Sequence, residues 1–223
     1  MGMLRSALLE DAGFRHAFAE RSEDADAIAR TLGVSRVIQV KQVHGGRAID
    51  ASEAIETNQQ EADAVVSRST DRPWAVGVRV ADCVPVLVAD MDSGDVAAIH
   101  AGWRGVVAGV VRGALAQLGG RTLLAAIGPC IGGCCFEVDR SVAEAIAGAS
   151  GGAAVVARWN GDKAWVDLRA AVRAQLTTIE SKNVRVEDVA GCTKHEPSRF
   201  HSFRRDGDRS GRMLAAIRAR SPS

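Results

Sequence analysis

The sequence predicts an α+β fold in which mixed β-sheets are covered by helices, and three observations carry that expectation. Short runs rich in valine, isoleucine and leucine outnumber the amphipathic stretches. The two kinds do not alternate strictly, which disfavours a doubly wound parallel sheet. The chain has 223 residues, 47% of them apolar, enough to bury a substantial core. A single domain over residues 1–223 is therefore expected.

Residues 37–43, 75–80, 85–89, 96–100 and 123–127 read as strands, being short, β-branched and bounded by glycine, proline or aspartate. Helices are expected over 103–118, 137–147 and 168–179, where apolar residues recur at three- and four-residue intervals. The last of these opens just after Asp167, a residue type suited to an N-cap. Residues 184–189 resume the strand pattern, whereas 213–217 suit either state. The segment GASGGAA at 148–154 is too short to divide domains and is expected to join a helix to a strand.

Twenty-eight basic side chains against 27 acidic ones leave a formal charge of +1, so no global field favours nucleic acid or an anionic membrane. The opening segment has no signal-peptide pattern, and no apolar run is long enough to span a bilayer. Five cysteines is an odd count, and Cys134 and Cys135 are adjacent, which argues against a disulfide framework. A soluble, cytoplasmic, monomeric protein is expected. The absence of a C-x-x-C pair disfavours a zinc ribbon or finger.

The chemistry concentrates in VRVADCVPVLVADMDSGDVAAIHAGWRG, residues 78–105. If 85–89 and 96–100 pair as a hairpin around the DSGD turn, its open end brings Cys83 and His100 together. A cysteine beside an apolar strand is usually a small buried hydrophobe, and a histidine at a strand end is usually structural. HAGWRG alters that balance, because glycines flank Trp103 and Arg104 where a strand turns into a helix, and backbone N–H groups beside a guanidinium suit an anion such as phosphate. Upstream, IQVKQVHGG ends a further strand on His44 before two glycines. Two imidazoles and a thiolate are borderline-soft donors suited to zinc, and three protein ligands leave a position open.

Six blocks in fixed order resemble the laccase-domain, YfiH-type family of purine nucleoside phosphorylases, formerly regarded as multicopper polyphenol oxidases. They are KQVHG (41–45), ADAVVS (62–67), ADCVPVLVAD (81–90), AAIHAGWRG (97–105), AAIGPCIGGCCFEV (125–138) and FHSFRRDG with SGR (200–207, 210–212), spanning most of the chain from about Phe14 onward. The resemblance implies an α/β/β/α layering and a zinc cluster of His44, Cys83 and His100 that is also the catalytic centre. It implies phosphorolysis of adenosine, inosine and methylthioadenosine, with adenosine deamination beside it. The substrates are then purine nucleosides and inorganic phosphate. Between FAERSED and DAIARTLGV the chain lacks the longer glycine-rich segment usual in the family.

Arg104 is expected to hold phosphate, with Arg79, Gln42, His201, Arg204 and Arg205 as further substrate- or phosphate-binding candidates and His201 as the acid for the leaving base. Cys130, Cys134 and Cys135 are read as lining a tight strand-to-helix turn rather than as ligands. His16 and His195 match nothing diagnostic. The alternatives are a copper-dependent polyphenol oxidase, in which Cu²⁺ would replace zinc, a Cys/His hydrolase, and a non-catalytic metal-binding protein. Five histidines are few for several copper centres.

Overall fold

The structure, a computed structural model, describes residues 2–57, 60–68, 74–152, 154–179 and 181–220. Its first half contains α1 (Ala7–Asp11), β1 (His16–Phe18), α2 (Ala25–Leu32), β2 (Arg36–Ile38), β3 (Ala48–Asp50), α3 (Ala51–Thr57), β4 (Ala64–Ser67), β5 (Trp74–Val80), β6 (Val84–Asp90) and β7 (Val96–Ala101). The second half contains α4 (Trp103–Val107), α5 (Val110–Gln117), β8 (Thr122–Ile127), β9 (Glu137–Asp139), α6 (Arg140–Ala149), β10 (Val156–Asn160), β11 (Lys163–Val166), α7 (Leu168–Thr177), β12 (Asn183–Asp188), α8 (Phe203–Asp206) and β13 (Met213–Ile217).

Among the described residues the strands form three sheets, ordered β12-β8-β6-β7-β4-β3, β1-β13-β5-β2 and β10-β11-β9. The first two are mixed. In the six-stranded sheet β12 runs parallel to β8 and β3 to β4, with antiparallel pairs between. In the four-stranded sheet only β2 and β5 are parallel.

Burial shows how the layers stack. Val65, Leu87, Ala98 and Ala126 of the large sheet meet Val76, Val78, Ala215 and Ile217 of the smaller one in a shared core. The other face of the large sheet, including Val86, Ile99 and Ala125, packs on Val110, Leu115, Ile146 and Val172 from α5, α6 and α7. Ile28 and Leu32 of α2 cover the outer side of the small sheet beside Ala75 and Ala216. The order helix, sheet, sheet, helices is the expected layering. Every residue of β6 and β7 is buried, which explains why both are apolar without alternation. Each fully buried valine, leucine or isoleucine stabilises by roughly 1.5–3 kcal/mol. Pro85 is tolerated in central β6 because the ladder to β8 begins only at Val86.

Three sequence expectations need correction, and one open reading is decided. The strand expected over 37–43 stops at Ile38, because Lys41 bridges to Glu61 and the chain turns toward His44. The helix expected over 103–118 is two helices, since Gly109 adopts φ 80° and breaks the hydrogen-bond ladder between α4 and α5. In the helix expected over 137–147, Glu137–Asp139 instead pairs with β11, and the helix runs Arg140–Ala149. Residues 213–217 are a strand, fully buried between β1 and β5. The 148–154 segment joins α6 to β10 as expected, residue 153 lying outside the described residues.

Candidate functional site

The β6–β7 hairpin forms as the sequence indicates, with Pro85 opposite His100 and Val84 opposite Ala101. That register sets Cys83, just before β6, against the end of β7. His44 arrives on the loop after β2 with φ 61°, and Asp82 precedes Cys83 with φ 88°. These are the only non-glycine residues of positive φ among the described ones, so the backbone is strained on both sides of one site. The His44 and His100 rings lie 4.8 Å apart at 79°. One ligand atom from each of His44, Cys83 and His100 lies within 4.8 Å of the others.

A fourth residue, Asp63, holds this arrangement. Its carboxylate is fully buried and accepts from His100 Nδ1 at 2.7 Å and from the amides of His44 at 2.9 Å and Gly45 at 2.6 Å. One side chain thus fixes both histidines, and it leaves His100 Nε2 as the nitrogen that can face an ion. Glycines bring the pieces close. A Cβ at Gly102 would stand 3.1 Å from both Cys83 Sγ and His44 Cδ2, and one at Gly46 would strike the Ala108 carbonyl at 2.5 Å. The glycines of HGG and HAGWRG therefore serve close packing around the cluster.

Burial works against charge on His100, but the hydrogen bond to Asp63, followed by the Cys83 contact, raises its pKa to about 9. Burial likewise opposes a Cys83 thiolate, and hydrogen bonds from His100 and then His44 outweigh it and bring the thiol to about 7. Asp63 stays below the usual carboxylate range: burial opposes this, and the His100 and Gly45 hydrogen bonds overcome it. Metal-free, the cluster favours a thiolate–imidazolium pair at neutral pH. Its donor set also fits a borderline-soft divalent ion, since one atom of each side chain lies within 4.8 Å of the others and the outer nitrogen of His100 is already bound.

The cluster opens into a cavity of about 560 Å³ lined also by Gln42, Arg79, Trp103, Arg104, Ile131, Phe136, Phe203, Arg204 and Arg212. Of the expected binding residues, Arg79, Arg104, Arg204 and Gln42 line it, and Arg212 joins them. Gln42 has its amide committed to the Arg79 backbone, donating to its carbonyl and accepting from its N–H at 2.8 Å each, so it anchors the His44 loop to β5. Arg204 lies over the Phe136 ring and donates to the Glu137 carbonyl at 2.8 Å. His201 and Arg205 do not line the cavity. The His201 ring packs over Gly211, where a Cβ would sit 2.5 Å from it. Arg205 donates to the carbonyls of Thr193 and Phe200 and to Asp206, bracing its own loop.

Sequence reasoning passed over Asp63 and Asp82. Asp82 accepts from Thr193 Oγ1 at 2.5 Å and from the Arg204 amide at 2.6 Å, while its carbonyl accepts from Ile131 N–H. As the residue before Cys83, it ties the cavity-lining segments of Ile131 and Arg204 to Thr193 behind them. Each is a carboxylate in an alanine-flanked context, ADA and ADC, and a buried acid there requires a partner. Cys130 is fully buried, and burial pushes its thiol up to about 11, consistent with a packing role. Cys134 and Cys135 lie in the β8–β9 connection rather than in a strand-to-helix turn, and they face Cys192 and His195. The spacing Cys192-Thr-Lys-His195, a C-x-x-H pair, was the available signal for the last two.

Fold and cluster together define a layered α/β protein with a candidate metal centre at the base of a cationic cavity. The chain belongs to the family described as multi-copper polyphenol oxidoreductase laccase, whose model matches residues 19–220. Adenosine deaminase RL5, from an unknown prokaryotic organism, is 35% identical over 207 residues, covering 85% of this chain and 78% of the relative. Purine nucleoside phosphorylase YfiH of Escherichia coli K12 is 35% identical over 188 residues, covering 82% and 74%. The crystal structure of YlmD from Geobacillus stearothermophilus superposes with a TM-score of 0.83 at 23% identity, over 99% of this chain and 97% of that one, and supports the fold.

Proposed function

We propose that this chain is a purine nucleoside phosphorylase that also deaminates adenosine, with His44, Cys83 and His100 holding zinc. The observation that carries the reading is one cavity in which the His–Cys–His cluster faces four arginines, Arg79, Arg104, Arg204 and Arg212, beside the aromatic rings of Trp103, Phe136 and Phe203. Phosphate needs guanidinium donors, and a purine needs flat apolar walls. The names of the relatives RL5 and YfiH supply the two activities.

Within that reading each residue has a physical task. Arg104, braced over the Trp103 ring at 4.6 Å, orients phosphate toward the ribose anomeric carbon, with Arg79 and Arg204 neutralising charge as the glycosidic bond breaks. Trp103 and Phe136 exclude water from the base. Asp63 keeps His100 in one tautomer. A divalent ion held by the cluster would supply Lewis acidity for the hydrolytic reaction at C6 of adenine.

The family's description invites a copper oxidase reading, and the histidines weigh against it. His16 Nε2 accepts from the Ser6 amide and its Nδ1 donates to the Phe14 carbonyl, His195 sits among Cys134 and Cys135, and His201 packs on Gly211. Only His44 and His100 remain for the cavity. The deciding experiment incubates metal-assayed protein with inosine and phosphate, and separately with adenosine. Ribose 1-phosphate and inosine are the expected products. Their absence, with phenol oxidation on added copper, would replace this reading with the oxidase.

A further inference from the structure

We propose that Cys134, Cys135, Cys192 and His195 form a second metal site, a closed structural zinc centre that clasps two walls of the cavity. Tetrahedral zinc, with Zn–S of about 2.3 Å and Zn–N of about 2.0–2.1 Å, separates its sulfur ligands by about 3.8 Å and sulfur from nitrogen by about 3.6 Å. In this structure Cys134 Sγ and Cys135 Sγ are 3.7 Å apart, and the His195 ring lies against both, Nδ1 at 3.6 Å from Cys134 Sγ and Nε2 at 3.2 Å from Cys135 Sγ, so that one of its two nitrogens would serve as the ligand. All four donors fall within 4.8 Å of one another. The sulfurs are too far apart for a disulfide, whose S–S bond is about 2.05 Å, and all five cysteines are free.

The surroundings fit thiolate ligands. The Gly132 amide donates to Cys192 Sγ at 3.3 Å, and the His195 amide closes the turn by donating to the Cys192 carbonyl at 3.1 Å. An N–H donor such as that of Gly132 belongs to the outer shell that orients and stabilises a metal-bound thiolate. Gly132 is needed for the approach: a Cβ there would stand 3.2 Å from Cys134 Sγ and 3.4 Å from Cys192 Sγ. Binding releases three thiol protons to solvent as three S–Zn bonds and one N–Zn bond form, with no change of oxidation state.

The position in the chain gives the site its role. Cys134 and Cys135 lie between Ile131 and Phe136, both of which line the cavity. Cys192 and His195 flank Thr193, whose hydroxyl donates to Asp82 and whose carbonyl holds Arg205, next to the cavity residue Arg204. Cys130 and Cys192 already form a parallel β-bridge between the two segments. A metal would lock that junction. The first cluster has three donors and faces the cavity, whereas this one has four and lines no described cavity wall, which is the pattern of a structural ion.

The test counts metal and thiolate separately, on full-length protein purified under reducing conditions from zinc-supplemented cells. Wild type should carry about two zinc ions per chain, and Cys83→Ala/His100→Ala and Cys134→Ser/Cys192→Ser about one each. Cobalt titrated into zinc-stripped Cys83→Ala/His100→Ala protein, shown to be folded by circular dichroism, should give the strong thiolate-to-cobalt charge-transfer absorption of three sulfur ligands. Cys134→Ser/Cys192→Ser should retain only the weaker band of one. This readout is independent of enzymatic activity and survives failure of the Cys134→Ser/Cys192→Ser variant to fold. A metal-free Cys83→Ala/His100→Ala protein without that cobalt band would overturn the proposal. So would a disulfide among Cys134, Cys135 and Cys192 found by peptide mass mapping of the freshly purified protein.

Discussion

Two clusters of soft ligands stand among the described residues, and they differ in almost every respect that decides what a metal would do. The His44–Cys83–His100 group has two nitrogens and one sulfur, backs onto the buried carboxylate of Asp63 and faces a cavity. The Cys134–Cys135–Cys192–His195 group has three sulfurs and one nitrogen, takes an amide hydrogen bond from Gly132, and has Cys134 and His195 exposed. Three ligands, a carboxylate behind and a cavity in front make a place where an ion can meet a substrate. Four ligands joining two connecting segments make a fastener. Coordination number and outer-shell chemistry thus separate a reactive centre from a mechanical one within a single fold.

The sharpest way to break this contrast is to remove the first cluster. Cys83→Ala/His100→Ala should lower kcat/KM for both phosphorolysis and deamination by about three orders of magnitude or more, the scale of losing the main electrostatic stabiliser of a reaction. Steady-state assays on folded protein check it, and activity within tenfold of wild type would move the reactive centre elsewhere. Next in size is Asp63→Asn, expected to cost about 10–100-fold in metal affinity or activity through an outer-shell partner. In metal-free protein the same change should move half-maximal alkylation of Cys83 upward from about pH 7, because losing the carboxylate lowers the His100 pKa and with it the stabilisation of the thiolate. An unmoved alkylation profile would show that Asp63 does not act through His100.

Arg104→Ala separates the two reactions rather than the two clusters. Loss of a charge-assisted contact worth about 1.5–3 kcal/mol should reduce phosphorolysis roughly ten- to a hundredfold, leave deamination less affected, and be partly rescued by Arg104→Lys. Equal losses in both assays would mean that Arg104 positions the nucleoside. For the second cluster, Cys192→Ser should lower Tm by about 5 °C, the equivalent of ~2 kcal/mol in a domain of this size, with far smaller kinetic losses than Cys83→Ala/His100→Ala. A calorimetric scan that does not move would remove the fastener role.

The smallest effect concerns pH and contrasts two buried histidines. In metal-free protein His100, with its pKa raised to about 9, stabilises the fold most below the unfolded value of 6.5, and the contribution fades as pH rises through about 9. His16 has the opposite sign. Burial lowers its pKa, and its Nε2 must stay unprotonated to accept from Ser6, so its contribution is complete above 6.5 and is lost as pH falls below that value. Thermal scans between pH 7 and 5 should show Tm falling, and His16→Gln should flatten that slope. A slope unchanged by the substitution would assign the acid sensitivity to other groups.

What was legible in the sequence follows from how far each interaction reaches along it. Strands at 85–89, 96–100 and 123–127 were readable because burial on both faces makes them mostly apolar, the strand at 75–80 because Val76, Val78 and Val80 alternate with Gly77 and Arg79, and the hairpin register that joins Cys83 to His100 followed from the DSGD turn. β10 was not readable, since residues 157–160 are exposed and carry no apolar period. The break at Gly109 was hidden because one glycine inside a helical pattern is usually tolerated, and only its φ of 80° shows that the ladder ends there. His44, Cys83 and His100 were found from strand-end polarity and family blocks. Asp63 was not, because its partners His44 and His100 lie 19 and 37 positions away in the chain. His201 and Arg205 fall outside the cavity lining, because a shared motif gives neighbourhood along the chain but not the direction of a side chain.

The place of β13 bears on how the protein is made. Residues 213–217 lie between β1 and β5, so a strand translated near the end of the described chain fills a slot between two that emerge at residues 16–18 and 74–80. While synthesis proceeds, the facing edges of β1 and β5 carry open amides and carbonyls, together with valines such as Val76 and Val78 that are fully buried once folded. At about 5–20 residues per second the wait from residue 80 to residue 217 lasts roughly 7–27 s, long compared with hairpin formation in microseconds. The large sheet, with β3, β4, β6, β7 and β8 all before residue 128, can gather early around the His100 hairpin. The small sheet remains a template with a missing line, open to any extended peptide that arrives first. Chaperone occupancy on ribosome-bound chains should accordingly peak between those two lengths and end when the MLAAI segment clears the exit tunnel.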